Sequence, residues 1–221
     1  MLVKNIMTTG QQWLSAVSNT QDAEYLAYEL NVFHLPVQEN NRFLGLLPFD
    51  ILSQEDIASK IELSHYKDDL LKIFAIDGDF VFDVLPKFTE AQISALPIID
   101  EKGFLLGLLR ESDVVKYLSQ LTSTNNPGAF LTLRLGTNDY NLQEISRIVE
   151  SNNARILSLQ FEPMTEDEHL LCTIKINTKE LKHILATFDR FNYEYIAHSS
   201  ENEVDNQLQN RYDLLMKYLN I

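Results

Sequence analysis

The sequence predicts a mixed α/β chain. Two copies of a strand–helix–strand–strand–helix unit come first, followed by a smaller α+β domain of order βαββαβ and an amphipathic C-terminal helix. Three observations predict it. Residues 34–52 (HLPVQENNRFLGLLPFDIL) and 95–115 (ALPIIDEKGFLLGLLRESDVV) repeat one another, at an offset of about sixty residues that suits one supersecondary unit. A turn-rich stretch, 122–128 (TSTNNPG), interrupts the chain. Beyond it the apolar residues settle into strict alternation and then into helical spacing.

Each copy contains Leu-Pro, a short apolar pair, an acidic turn and then a run ending Leu-Gly-Leu-Leu. In the second copy a strand is expected at 96–99, a turn of type I or I′ at 100–103 (Asp-x-x-Gly) and a strand at 104–109. A helix precedes each pair. Residues 20–31 place Ala23, Leu26, Ala27 and Leu30 on one face. Residues 79–91 supply Phe80, Val81, Val84, Leu85 and Phe88, with Pro86 inside the pattern as a kink or the sign of a late start. Short strands at 13–17 and 72–76 complete the two units, which divide the first part into domains 1–62 and 63–121.

In the third part (129–198), residues 129–135 alternate with Leu131, Leu133 and Leu135 on one face. Asn141 reads as a helix cap with Glu144 three residues on, and Leu142, Ile145, Ile148 and Val149 form the buried stripe. Strands follow at 155–162 and 169–177. Thr178 is expected to cap a second helix carrying Leu181, Ile184, Leu185, Phe188 and Phe191, and 193–198 is a last strand. That order is the ferredoxin-like plan. In the tail, 201–221, Val204, Leu208, Tyr212, Leu215 and Leu219 form one stripe, suited to docking on the chain's own layers or on another chain.

Composition narrows the function. The net charge is −14, and both parts are acidic: residues 1–127 carry 9 basic against 18 acidic side chains, residues 128–221 carry 9 against 14. Neither has the basic footprint of a nucleic-acid or anionic-membrane binder, so no nucleic acid and no membrane are expected as partners. No apolar run approaches a membrane span, and the first residues lack the apolar core of a signal peptide. Cys172 is the single cysteine, which rules out an internal disulfide and suits a cytoplasmic chain. The seven glycines are too scattered to cradle a phosphate, and the five histidines form no ligand pair. No nucleophile elbow or zinc-helix motif occurs, so the expectation is a non-catalytic protein with no metal site and no required cofactor.

The repeated Leu-Pro-[Val/Ile] with its Gly-apolar-apolar strand end resembles the CBS domain, seen twice over residues 1–121. The resemblance implies a regulatory module. In that family a Gly-h-h-[Ser/Thr]-x-x-Asp stretch binds an adenosyl ligand, the hydroxyl on phosphate and the Asp on ribose. Copy two reads Gly107-Leu108-Leu109-Arg110-Glu111-Ser112-Asp113, keeping the Asp and replacing the hydroxyl by Arg110. The ligand set this implies is Asp113, Arg110 and Ser112 with Ile76, Pro97 and Ile98, for AMP, adenosine or S-adenosylmethionine. Copy one reads Gly45-Leu46-Leu47-Pro48-Phe49-Asp50, one residue short, and offers Asp50. The same acids also read as ordinary helix-start chemistry, which opposes the macrodipole, so both readings of Asp113 stand. The βαββαβ part, with Asp139-Tyr140-Asn141-Leu142, resembles an ACT domain and implies Asp139, Asn141 and Leu142 at an interface. The combination resembles bacterial acetoin-utilisation accessory proteins. It implies a homodimer, either sensing an adenosine-containing ligand or serving as a scaffold that binds an unknown protein partner and no small molecule.

Overall fold

The computed structural model describes residues 1–136, 140–164 and 169–199. Asp139, most of the acidic turn at 165–168 and the amphipathic tail lie outside the described residues. The chain divides into two compact units, Met1–Tyr117 and Leu118–Ile221.

The first unit holds two three-stranded sheets built alike. β1 (Leu14–Ser15) runs parallel to β2 (His34–Glu39), which is antiparallel to β3 (Arg42–Pro48); β4 (Ala75–Ile76), β5 (Ala95–Ile99) and β6 (Leu105–Arg110) repeat the arrangement. The registers coincide residue for residue. His34 opposes Pro48 as Ala95 opposes Arg110, Val37 opposes Gly45 as Ile98 opposes Gly107, and both hairpins bulge immediately afterwards. The first hairpin closes on Asn40 and Asn41, both with positive φ (52° and 64°), as a two-residue type I′ loop requires. The second closes around Asp100, whose Oδ1 accepts the N–H groups of Lys102 and Phe104.

Helix α1 (Thr20–Leu30) buries Ala23, Leu26, Ala27 and Leu30 behind an Asn19–Asp22 capping box. Helix α3 (Val81–Glu90) runs through Pro86, so this proline marks neither a start nor an end. It forfeits the hydrogen bond its missing N–H would have given, and its ring crowds the carbonyl one turn back. The edge strands β1 and β4 are two residues each, shorter than the five-residue strands expected, and the lead-in chain before each one crosses to the other sheet. Thr8 exchanges backbone hydrogen bonds with Leu108 (2.8 and 3.0 Å), and Leu71 does so with Leu46 (2.9 Å each way). The copies are therefore interlocked, and Ala95 and Leu108 of copy two share a core with Leu14, Leu35 and Leu47 of copy one.

This crossing explains both Leu-Gly-Leu-Leu glycines. A Cβ on Gly45 would lie 2.5 Å from the Leu70 Cβ, and one on Gly107 would lie 2.7 Å from the Thr8 carbonyl oxygen. A side chain at either place would push the crossing strand off the sheet.

The second unit has a four-stranded antiparallel sheet in the order β10 (Glu194–His198), β7 (Ala129–Gly136), β9 (His169–Ile176), β8 (Ile156–Pro163), with α5 (Leu142–Ser151) and α6 (Lys182–Arg190). This is the βαββαβ plan. Its core joins Leu131, Leu133, Ile145, Ile148, Ile184 and Phe188. Two expectations change. Leu142 is 45% exposed at the start of α5 rather than in the stripe. Thr178 does not cap α6: its hydroxyl accepts the Glu180 N–H, and the helix begins at Lys182 after Leu181 has turned into the core. Cys172 is buried, and desolvation pushes its thiol up to about 11, so it is a core residue and not a nucleophile at neutral pH.

Candidate functional site

The candidate site is the corner where β6 passes into α4 (Glu111–Leu121) with no intervening loop. Asp113, third in the helix, turns its carboxylate back over the first turn and accepts the Arg110 N–H at 3.2 Å. The Arg110 side chain follows: Nε donates to Oδ2 at 2.9 Å and Nη2 to Oδ1 at 2.8 Å, a two-pronged charge-assisted pair. The Thr8 hydroxyl donates to Oδ2 at 3.3 Å, and Arg110 Nη1 reaches the Leu30 carbonyl at 3.4 Å. Burial works to raise the Asp113 pKa; the Arg110 side chain and N–H, with Thr8, outweigh it and hold the carboxyl below its usual range. The same pair raises the Arg110 pKa. The Arg110 side chain therefore takes up both carboxylate oxygens of Asp113.

The remaining expected ligand residues are placed differently. Ser112 is exposed on the first turn of α4. Ile76 is 38% exposed in β4, its N–H held by Asp79 at 2.9 Å. Pro97 and Ile98 are buried in the central strand β5, opposite Leu108 and Gly107, and serve the core. In copy one the chain does not enter a helix after Pro48. It makes a 3-10 turn, Phe49–Ile51, that leaves Asp50 exposed, and α2 (Gln54–Ser59) starts only at a Ser53–Asp56 capping box. In the second unit Asn141 is spent as a cap, accepting the Glu144 N–H at 3.1 Å. Leu142 lies beside it, while Asp139 is outside the described residues.

Two contributors to the corner escape sequence reasoning, because they arrive across the interlocked copies. One is Thr8, 105 residues from Asp113. The other is the His34–Ser94 contact: Ser94 N–H donates to His34 Nδ1 at 3.2 Å, and the Ser94 hydroxyl accepts the Phe33 N–H at 2.8 Å. Desolvation lowers the His34 pKa, against the pull of Asp50 and Glu111. A histidine depressed in the fold binds its proton more readily when unfolded. Its contribution is complete above the unfolded value of about 6.5 and is lost as pH falls from there toward the folded pKa. Urea unfolding from pH 7.5 to 5 is thus expected to show a stability loss that His34→Gln abolishes; an unchanged slope in the variant would refute this.

Among the described residues no group of three or more His, Cys, Asp or Glu is placed to hold a metal ion, and no helix is long and apolar enough to cross a membrane.

The CBS-domain family model matches residues 72–120, the stretch that contains β4 through α4. These residues are a CBS domain. Among curated proteins, a homoserine O-acetyltransferase of Methanococcus vannielii is 25% identical over 123 residues, covering 53% of this chain and 25% of that protein. The chain thus spans about a quarter of the length of that relative. Among solved structures, a CBS domain pair/ACT domain protein of Thermotoga maritima is 19% identical over 54% of this chain and 98% of its own, with a TM-score of 0.47. A protein assigned to acetoin utilization in Vibrio cholerae is 20% identical over 57% and 95%, TM-score 0.47. CBSX2, solved in complex with AMP, is 22% identical over 54% and 97%, TM-score 0.43. Copy one repeats the strand register and bulge of the matched residues.

Proposed function

We propose that the protein is a non-catalytic regulatory protein whose copy-two corner takes an adenosine-containing ligand such as AMP, adenosine or S-adenosylmethionine. The observation that carries this reading is the Asp113 carboxylate, fixed at a strand–helix junction of the CBS domain by donors that a ribose diol can replace. In the bound state the ribose hydroxyls take the two carboxylate oxygens, and the displaced Arg110 guanidinium turns to a phosphate. The ligand then competes with a resident ion pair, and its binding shifts the junction between β6 and α4.

Isothermal titration with adenosine, AMP and ATP tests it against Arg110→Ser, which restores the family hydroxyl. Adenosine is expected to bind the variant more tightly than the parent, because the competitor is gone. AMP is expected to exceed ATP, since one guanidinium in an acidic chain neutralises a single phosphate better than three. A bound ligand at 100 times its dissociation constant adds about 2.7 kcal/mol of stability. Absence of heat and of thermal shift with every ligand, for parent and variant alike, would overturn the sensor. It would favour the second reading, a scaffold binding a protein partner, which the saturated Asp113 and the displaced Asp50 also support.

Self-association belongs to the same proposal, as does the ACT-like role of the second unit. Tyr25 and Tyr28 on α1 are 70% and 77% exposed, and Phe82 on α3 is 51% exposed, rings available for contact with a second copy. Light scattering is expected to return a dimer at micromolar concentration; a monomer would refute it.

A further inference from the structure

The two interlocked copies provide an internal control for one another, and besides the strand–helix corner they differ at the open end of β1. There a cavity of about 580 Å3 opens beside Trp13, within the range of small-molecule sites. It lies at the hairpin-tip end of the first sheet, bounded by Ser15 and Gln38, whereas the Asp113 corner lies at the opposite end of its own sheet, beyond the Ala95–Arg110 pair.

The strand registers identify the counterparts. Leu14 opposes Val37 as Ala75 opposes Ile98, so Ser15 corresponds to Ile76, Gln38 to Ile99, Gln12 to Ile73 and Trp13 to Phe74. Gln38 opposes Phe43 as Ile99 opposes Leu105, so Leu105 corresponds to Phe43. In copy two this place is narrowed by apolar side chains: Phe43 and Phe74 meet edge to face at 6.0 Å and Ile99 is 7% exposed, while Phe74 and Ile76 keep 37% and 38% of their surface exposed. In copy one every one of these apolar residues except the aromatic ring and Leu105 is replaced by an amide or a hydroxyl, and the place is hollow.

The lining is uncharged. No Asp, Glu, Lys or Arg contributes to it, in a chain of net charge −14. Four of the lining residues carry primary amides, Gln11, Gln12, Gln38 and Asn41, and among the described residues none of these side chains is spent on an intramolecular hydrogen bond. Each amide donates and accepts, as a hydroxyl group does, while the indole presents an apolar face that packs against C–H groups.

We propose that this cavity binds a neutral polyhydroxylated ring, a sugar or cyclic polyol, seated against Trp13. Neutral donors and acceptors in this number match hydroxyls of both roles, and the absence of a charged group disfavours phosphorylated or carboxylated compounds. The site is independent of the adenosine reading, since it shares no residue with Arg110, Asp113 or Thr8.

Trp13 is the only tryptophan, so its emission reports the cavity directly. The experiment titrates the full chain with glucose, N-acetylglucosamine, trehalose and myo-inositol, with adenosine as a separate arm. A saturable change in emission is expected with at least one of the four. Gln38→Ile and Ser15→Ile install the copy-two residues and are expected to weaken that binding about ten-fold or more, while Asp113→Asn leaves it unchanged. Circular dichroism establishes that the variants are folded; should Ser15→Ile fail to fold, Gln38→Ile decides alone. No saturable change with any sugar or polyol, retained affinity in Gln38→Ile, or a response at Trp13 to adenosine alone would each overturn the proposal.

Discussion

Gly107→Ala is expected to lower the unfolding free energy by about 1–3 kcal/mol, and Gly45→Ala by a similar amount, the range seen when a methyl group is forced into a packed interior. The obstruction at Gly107 is the Thr8 carbonyl, 2.7 Å from the added carbon, and it cannot retreat freely because Thr8 is held to Leu108 by two backbone hydrogen bonds. At Gly45 the obstruction is the Leu70 Cβ at 2.5 Å, next to Leu71 with its own pair of bonds to Leu46. Neither obstacle is the far end of a flexible side chain. Gly78 provides the control: a Cβ there meets nothing within 4 Å, so Gly78→Ala is expected to be neutral or to stabilise by about 0.4–1 kcal/mol through the unfolded chain. Urea unfolding followed by Trp13 emission measures all three. Losses below about 0.5 kcal/mol at both Gly45 and Gly107 would mean that the crossing lead-ins do not hold the copies together.

Phe188→Ala is expected to cost about 3–5 kcal/mol, the usual range for emptying a fully enclosed aromatic site. Phe188 is 0% exposed in the core of the second unit and stands edge to face with Tyr193 at 5.5 Å. Tyr193 is itself tethered, its hydroxyl donating to Glu144 at 2.9 Å, and burial together with that bond pushes its pKa up to about 12. The void would therefore be lined by a ring that cannot swing in to fill it without giving up a hydrogen bond. Phe191→Ala, at a partly buried site on the edge of the same core, is expected to cost less. Calorimetric unfolding compares the two; equal losses, or a loss below about 1 kcal/mol for Phe188→Ala, would show that α6 does not anchor this sheet.

Much of the fold was legible in the sequence, because it rests on local periodicity and on repetition. The Leu-Pro and Leu-Gly-Leu-Leu repeat located four strands, Ala23 to Leu30 placed α1, and the alternation from Ala129 to Leu135 placed β7, since each of these buries one face at a fixed spacing. Helix starts were legible where a cap sits beside its helix, as at Asn141. The reading failed at Thr178, where packing of Leu181 moved the start of α6, and at the short β1 and β4.

For the candidate site, the sequence by itself determined that copy two keeps an aspartate at family spacing, that its hydroxyl position is Arg110, and that copy one is a residue short. Only the tertiary structure decided that Arg110 closes on Asp113, that Thr8 and the Leu30 carbonyl complete the corner, that Pro97 and Ile98 are buried, and that Trp13 lines a hollow where its counterpart Phe74 packs against Phe43. The physical reason is one of range. A capping bond or an apolar stripe joins residues three or four apart and leaves its mark in the local sequence. The contacts that make these sites join residues many tens of positions apart, through two copies that exchange their lead-in strands, and no local pattern records which residues that exchange brings face to face.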